Sequence, residues 1–100
     1  LSARDALHLA TAGGAAVLGR TDCGRIAPGY RADLAVWDMR GIEAAGSWDP
    51  AALLLAGPTR VRDLMVEGRW IVRDGEVRTI DLPAVLRRHA RLAARLAQAL

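Results

Sequence analysis

Apolar residues recur at helical spacing through the opening stretch, LSARDALHLATAGGAAVLG. Leu7, Ala10, Gly14, Val17 and Leu18 fall on one side of a 3.6-residue turn. Ser2 supplies a start signal: its hydroxyl can cap, and Asp5 three residues on places a negative charge where a helix N-terminus favours it. Thr11 and the Gly13–Gly14 pair predict a division into two short helices, with small residues that let another backbone come close. Gly19 fits a C-terminal cap. The pattern then changes. In APGYRADLAVWD, Pro28 presets the first position of a turn and Gly29 accepts the positive φ of the second. A strand follows, with Leu34 and Val36 on one face and Ala35 and Trp37 on the other. Both faces are apolar, which predicts burial on both sides.

GIEAAGSW shows no period and reads as a loop. DPAALLLAGP reads as a compact helix capped by Asp49, with Pro50 in its first turn, Gly57 at its end and Pro58 blocking continuation. TRVRDLMVEGRWIVRDGEV reads as a meander. A strand from Val61 to Val66 turns at Glu67–Gly68, Trp70 to Arg73 return, and Asp74–Gly75 leads to a third short strand near Val77. In IDLPAVLRRHARLAARLAQAL, Asp81 caps and Pro83 lies in the first turn. Leu82, Val85, Leu86, Leu92, Ala93, Leu96 and Leu100 form a broad apolar face. Arg87, Arg88, Arg91 and Arg95 point mainly away from it, and His89, flanked by Arg88 and Arg91, is placed on or beside the solvated face. The pattern is that of an α+β chain without internal repeats.

Composition narrows the function classes. With 100 residues, 52% hydrophobic and 25% charged, the chain is globular and of a size for one domain or part of one. No apolar run approaches the roughly 18 residues of a membrane span. The start lacks a basic n-region and a cleavage site, so no signal peptide is expected and the expected location is cytoplasmic. With no initiator Met, Leu1 is not expected to be a natural start. The formal charge is +3, and every basic residue is Arg. The arginines are scattered among 11 acids, and a compositional bias of the source genome accounts for them as well as nucleic-acid binding does. Only the last helix has an Arg-rich face, so a solvated face is the default and no nucleic-acid partner is expected.

Few residues carry candidate chemistry. Asp33 and Asp38 could act as paired carboxylates, but five residues apart on a strand they point to opposite faces, and a shared site needs a bend. Asp33 is better placed to bond backbone groups of the Pro–Gly turn. Cys23, the single cysteine, lies near Arg20 and Arg25, which could favour a thiolate, yet both histidines fall in predicted helices. One cysteine excludes an internal disulfide and a Cys-rich zinc site. His8 could be a ligand, but His89 is about 80 positions away, and no local His/Cys/carboxylate cluster exists. TAGGAAVLG has the wrong glycine spacing for a phosphate loop, and there is no Lys. The residues themselves display no catalytic constellation.

Three segments carry a family resemblance. ALHLATAGGAAVLGR, GRIAPGYRADLAVWD and VRDLMVEGRWIVRDGEV together resemble the C-terminal end of amidohydrolase-superfamily enzymes, in the expected order. Relatives usually have Asn where this chain has Glu67. Within the superfamily the likeness is to the aminohydrolase and chlorohydrolase branch, and to the 8-oxoguanine deaminase group in particular. The resemblance implies an α+β fragment. Residues 1–19 would be the terminal helices of a (β/α)8-barrel region, 20–80 the C-terminal portion of a composite β-sandwich domain, and 81–100 a C-terminal helix. It implies that the parent binds zinc or iron and deaminates a nitrogen heterocycle such as 8-oxoguanine or a related purine, pyrimidine or triazine. There a metal-activated water attacks an electron-poor ring carbon. The family's metal ligands (a His-x-His pair, two further histidines and an aspartate) all precede the matched region. No catalytic, cofactor or metal residue is carried over, and neither His8 nor His89 matches a ligand. The expected partners are the rest of the parent chain, with its barrel and N-terminal strands, the heterocycle substrate and a second subunit. The alternative is a free-standing, non-catalytic α+β interaction module derived from such an enzyme.

Overall fold

The structure, a computed structural model, describes residues 1–57 and 59–100; the stop expected at Pro58 lies outside them. The chain opens with α1 (Ala3–His8), which runs through a π-helical turn (Leu9–Gly13) into α2 (Gly14–Val17). The strand β1 (Leu34–Asp38), a 3₁₀ turn at Ile42–Ala44 and α3 (Pro50–Ala56) follow. Then come β2 (Arg60–Val66), β3 (Arg69–Arg73), β4 (Glu76–Val77) and α4 (Leu82–Ala99). The strands form one antiparallel sheet in the order β1-β2-β3-β4.

Local chemistry explains most boundaries. Ser2 and Asp5 form a full capping box: the Asp5 N–H donates to the Ser2 hydroxyl at 3.1 Å and the Ser2 N–H to the Asp5 carboxylate at 2.8 Å. Gly19, at φ +69°, closes the opposite end. Its N–H donates to Ala16 O and the Arg20 N–H to Ala15 O, the paired bonds of a Schellman cap. Asp49 and Asp81 accept from Ala51 N and Ala84 N, as their positions predict. The Ala27–Tyr30 bond closes the Pro28–Gly29 turn at 3.1 Å, with Gly29 at φ +84°. Both hairpin turns have positive φ at both central residues, Glu67–Gly68 and Asp74–Gly75, the primed turn that strand twist favours.

One expectation is refined and one corrected. The opening stretch does divide into two short α-helices, the second starting at Gly14, but no break separates them: both glycines keep right-handed helical angles and the chain runs on through the π turn. That turn widens the ladder and brings carbonyls five residues back close to the axis. A Cβ on Gly13 would stand 3.1 Å from His8 O, and one on Gly14 3.2 Å from Leu9 O. The glycines therefore permit the wider turn, and the Thr11 hydroxyl bonds Leu7 O at 2.8 Å inside it. Secondly, β1 is not buried on both faces. It is the sheet's edge, and Val36 and Trp37 stay 40% and 38% exposed.

The buried apolar residues are Ala15, Ala44 and Ala51, and no large side chain among the described residues is fully enclosed. The accessible surface is 8043 Å², where a folded monomer of this mass shows about 5,500 Å². The radius of gyration is 17.7 Å, against about 13 Å for a compact domain of 100 residues. A chain this apolar with so little enclosed leaves much apolar surface exposed.

Candidate functional site

The carboxylates were the first candidates, and the sheet decides what they do. Asp33 Oδ1 accepts from Glu67 N at 2.7 Å, while the neighbouring Ala32 O accepts from Gly68 N at 3.1 Å. The same arrangement recurs one strand along. Asp63 Oδ1 accepts from Asp74 N at 2.9 Å, and Arg62 O accepts from Gly75 N at 2.8 Å. In both cases an Xaa–Asp pair, just before β1 in one and within β2 in the other, holds the two N–H groups of a primed turn. Asp33 thus serves the Glu67–Gly68 turn and not the Pro–Gly turn expected from sequence.

The second cradle depends on a bulge. Val36 pairs with Asp63 but Trp37 with Val61, so Arg62 is the extra residue of β2. The extra residue releases the Arg62 carbonyl from the β1 ladder and leaves it free to reach Gly75. Asp63 is the single buried charged side chain of the described residues, 6% exposed, and Arg62 Nε donates to it at 2.7 Å. The bond from Asp74 N, then the Arg62 guanidinium, hold its carboxyl below the usual range. Sequence reasoning passed over Asp63. The signal was present: strand alternation places it inward with Val61 and Met65, where a lone carboxylate needs partners.

Two further acids are held by arginines. Asp22 takes Arg20 at 2.8 Å and Arg31 at 2.5 Å, and Arg31 also pairs with Glu67. This clasp ties the loop after α2 to the β2–β3 hairpin, and the two arginines hold Asp22 well below the carboxylate range. Asp38 receives the Arg40 guanidinium through two 3.0 Å bonds, then the Arg40 N–H, and falls to about 2. Asp33 and Asp38 stand at opposite ends of β1, about 16 Å apart along an extended chain, and the structure does not bring them together. Carboxylates held low by arginines are poor proton acceptors near neutral pH.

Cys23 is half-buried at the margin of an apolar groove of about 750 Å³ between the first helix and β1, which Leu7, Leu18, Ile26, Leu34, Trp37 and Leu54 help to line. Among the described residues no side-chain hydrogen bond reaches the thiol, and Arg20 is turned to Asp22. His8 and His89 lie exposed on α1 and α4. At 100° per residue His89 falls in the middle of the apolar face of α4, not beside the arginines as its neighbours in sequence suggest. Among the described residues no group of three or more His, Cys, Asp or Glu could hold a metal ion. No helix of these residues is long and apolar enough to cross a membrane.

Comparisons with known proteins complete the picture. The amidohydrolase family profile matches residues 1–72. The chain is 46% identical over 92 residues to the 8-oxoguanine deaminase of Pseudomonas aeruginosa, an alignment that covers 91% of this chain and 20% of that protein. It is 42% identical over 98 residues to the 5-methylthioadenosine/S-adenosylhomocysteine deaminase of Natronomonas pharaonis, covering 96% of this chain and 22% of that one. Among solved structures, it superposes on a variant of the atrazine chlorohydrolase of Arthrobacter aurescens, complexed with zinc and atraton, with TM-score 0.79 and 35% identity. That match covers 92% of this chain and 21% of the other. The chain therefore spans about a fifth of the length of the relatives it matches.

Proposed function

The chain belongs to the amidohydrolase family, and from that premise we propose that it is the C-terminal portion of a metal-dependent aminohydrolase. The parent would release ammonia from a nitrogen heterocycle, with 8-oxoguanine the leading substrate and related purines, pyrimidines or triazines the wider class. The observation that carries this is the 46% identity to an 8-oxoguanine deaminase along nearly the whole chain.

In this reading residues 1–19 end the barrel region, 20–80 complete a β-sandwich domain shared with the other end of the polypeptide, and 81–100 form the closing helix. The part is structural. The unpaired outer edge of β1 and the part-exposed side chains of Val36 and Trp37 suit a sheet completed by further strands. About 2,500 Å² of accessible surface beyond that of a compact monomer is roughly three times one partner's share of a standard interface. A free-standing module with three buried alanines as its apolar core has no comparable support.

The residues present do not fit a zinc site. The histidines are exposed on separate helices, and Asp22, Asp38 and Asp63 are bonded to arginines. The metal would be held outside residues 1–100, and no catalytic step is assigned to this chain. The test uses the full-length polypeptide, assayed for ammonia release from 8-oxoguanine, 5-methylthioadenosine and an aminotriazine. The expected result is turnover of 8-oxoguanine above the others. Absence of ammonia from every cyclic amidine tested, with zinc bound, would overturn the assignment.

A further inference from the structure

The last helix is the element that the rest of the described chain leaves almost bare. Between Leu82 and Ala99 no residue is buried, and only Ala84 is less than about a third exposed. Leu86 and Leu96 are 57% and 70% exposed. An isolated helix of this length is marginal in water. Its large apolar residues nonetheless share one side, which is the signature of a helix that packs.

The charge on α4 is as one-sided as its hydrophobicity. Leu82, Val85, Leu86, Leu92 and Leu96 make the stripe, with His89 at its middle. Arg88 and Arg95 border the stripe on one flank, and Arg87 and Arg91 lie on the back. From Leu82 to Leu100 there is no Asp or Glu. A second α4 laid antiparallel on the first would set Arg88 and Arg95 against the same pair, with no acid to neutralise them. The carboxylates of Asp22, Asp38 and Asp63 are already engaged by arginines. The surface that suits α4 is an apolar groove with an acidic rim on one side, and no described element packs along the helix to supply one.

We propose that α4 docks in cis, laying its stripe and its Arg88/Arg95 flank into such a groove on the part of the same polypeptide that lies outside these 100 residues. This rests on the reading that the chain is about a fifth of an amidohydrolase. His89, central in the stripe, then meets a hydrogen-bonding group in the groove, and one polar contact in an apolar seam fixes the helix register.

Hydrogen exchange of the full-length polypeptide, read by mass spectrometry on peptides spanning 82–100, tests this. Docking predicts exchange more than about a thousandfold slower than in the free peptide, as for packed helices that open only sub-globally. The protection should be the same at nanomolar and micromolar protein. Arg88→Glu with Arg95→Glu should lose at least about tenfold of it, as for charges paired across an interface, while Arg87→Glu with Arg91→Glu should leave it unchanged. Protection that falls on dilution would assign the face to a second copy and overturn the proposal. So would exchange as fast as in the free peptide, or equal losses from the two arginine pairs. The intact mass from the same sample reports separately on the underlying reading: a species of only 10.7 kDa would remove the parent polypeptide itself.

Discussion

Gly24 offers the sharpest test of how the first helix meets the loop that follows it. Its φ is +86°, and a Cβ there would stand 2.9 Å from Ala15 Cβ, 3.0 Å from Ala12 Cα and 3.0 Å from Thr11 O. Normal contacts begin at about 3.5 Å, and two of these three atoms belong to the backbone, so they cannot swing away. Gly29 is the control. It has nearly the same φ, +84°, but nothing within 4 Å of its would-be Cβ. Gly29→Ala meets only the left-handed backbone cost, about 1–2 kcal/mol. Gly24→Ala adds to the same cost an overpacking term of about 1–3 kcal/mol. With a urea slope of about 1–3 kcal/mol/M, the two variants should differ in unfolding midpoint by about 1 M. The assay is urea denaturation of the full-length polypeptide followed by tryptophan fluorescence. If Gly24→Ala unfolds at the same urea concentration as Gly29→Ala, the close packing of loop on π turn is refuted.

Other consequences follow from the cradles and ion pairs. Asp63→Ala should lower the unfolding midpoint more than Asp33→Ala, because Asp63 is buried and Asp33 exposed, and the order of midpoints decides it. Asp38 is depressed from 3.8 to about 2 by Arg40. Its contribution is therefore complete above about pH 4 and is lost as pH falls towards 2; Asp38→Asn should flatten the pH dependence of the midpoint in that window. The amplitude should be small and shrink with salt, since Arg40 is 78% exposed. Glu67 sits at φ +50°, where Asn is far better tolerated, so Glu67→Asn should raise stability by up to about 1 kcal/mol even though it gives up the exposed pair with Arg31. A fall in midpoint would show that the clasp outweighs the turn.

How far the fold was legible depended on whether a feature is local. Caps at Ser2, Asp49 and Asp81, the Schellman glycine and both primed turns follow from residues within a few positions of each other, and the sequence marked all of them. The π turn was not legible, since Gly13–Gly14 reads as a break unless one knows that carbonyls five residues back come within 3.2 Å. Burial of β1 was misjudged for a different reason. The apolar residues on both faces predicted cover on both sides, but β1 lies at the sheet's edge and Val36 and Trp37 stay part-exposed. Asp33 and Asp63 had partners 34 and 11 residues away, and the second contact depends on a bulge at Arg62 that no local pattern announces. The family was legible from three segments that span most of the chain, although Asp33, Asp38 and His8 within them are not brought together into a site.

The central claim is that these 100 residues are one part of a larger hydrolase. The most direct measurement is the intact mass of the native gene product in its source cells. The account predicts a polypeptide of several hundred residues, about five times this chain, as the coverage of its relatives implies. A native product near 10.7 kDa would contradict it, and the chain would then stand as a module of its own.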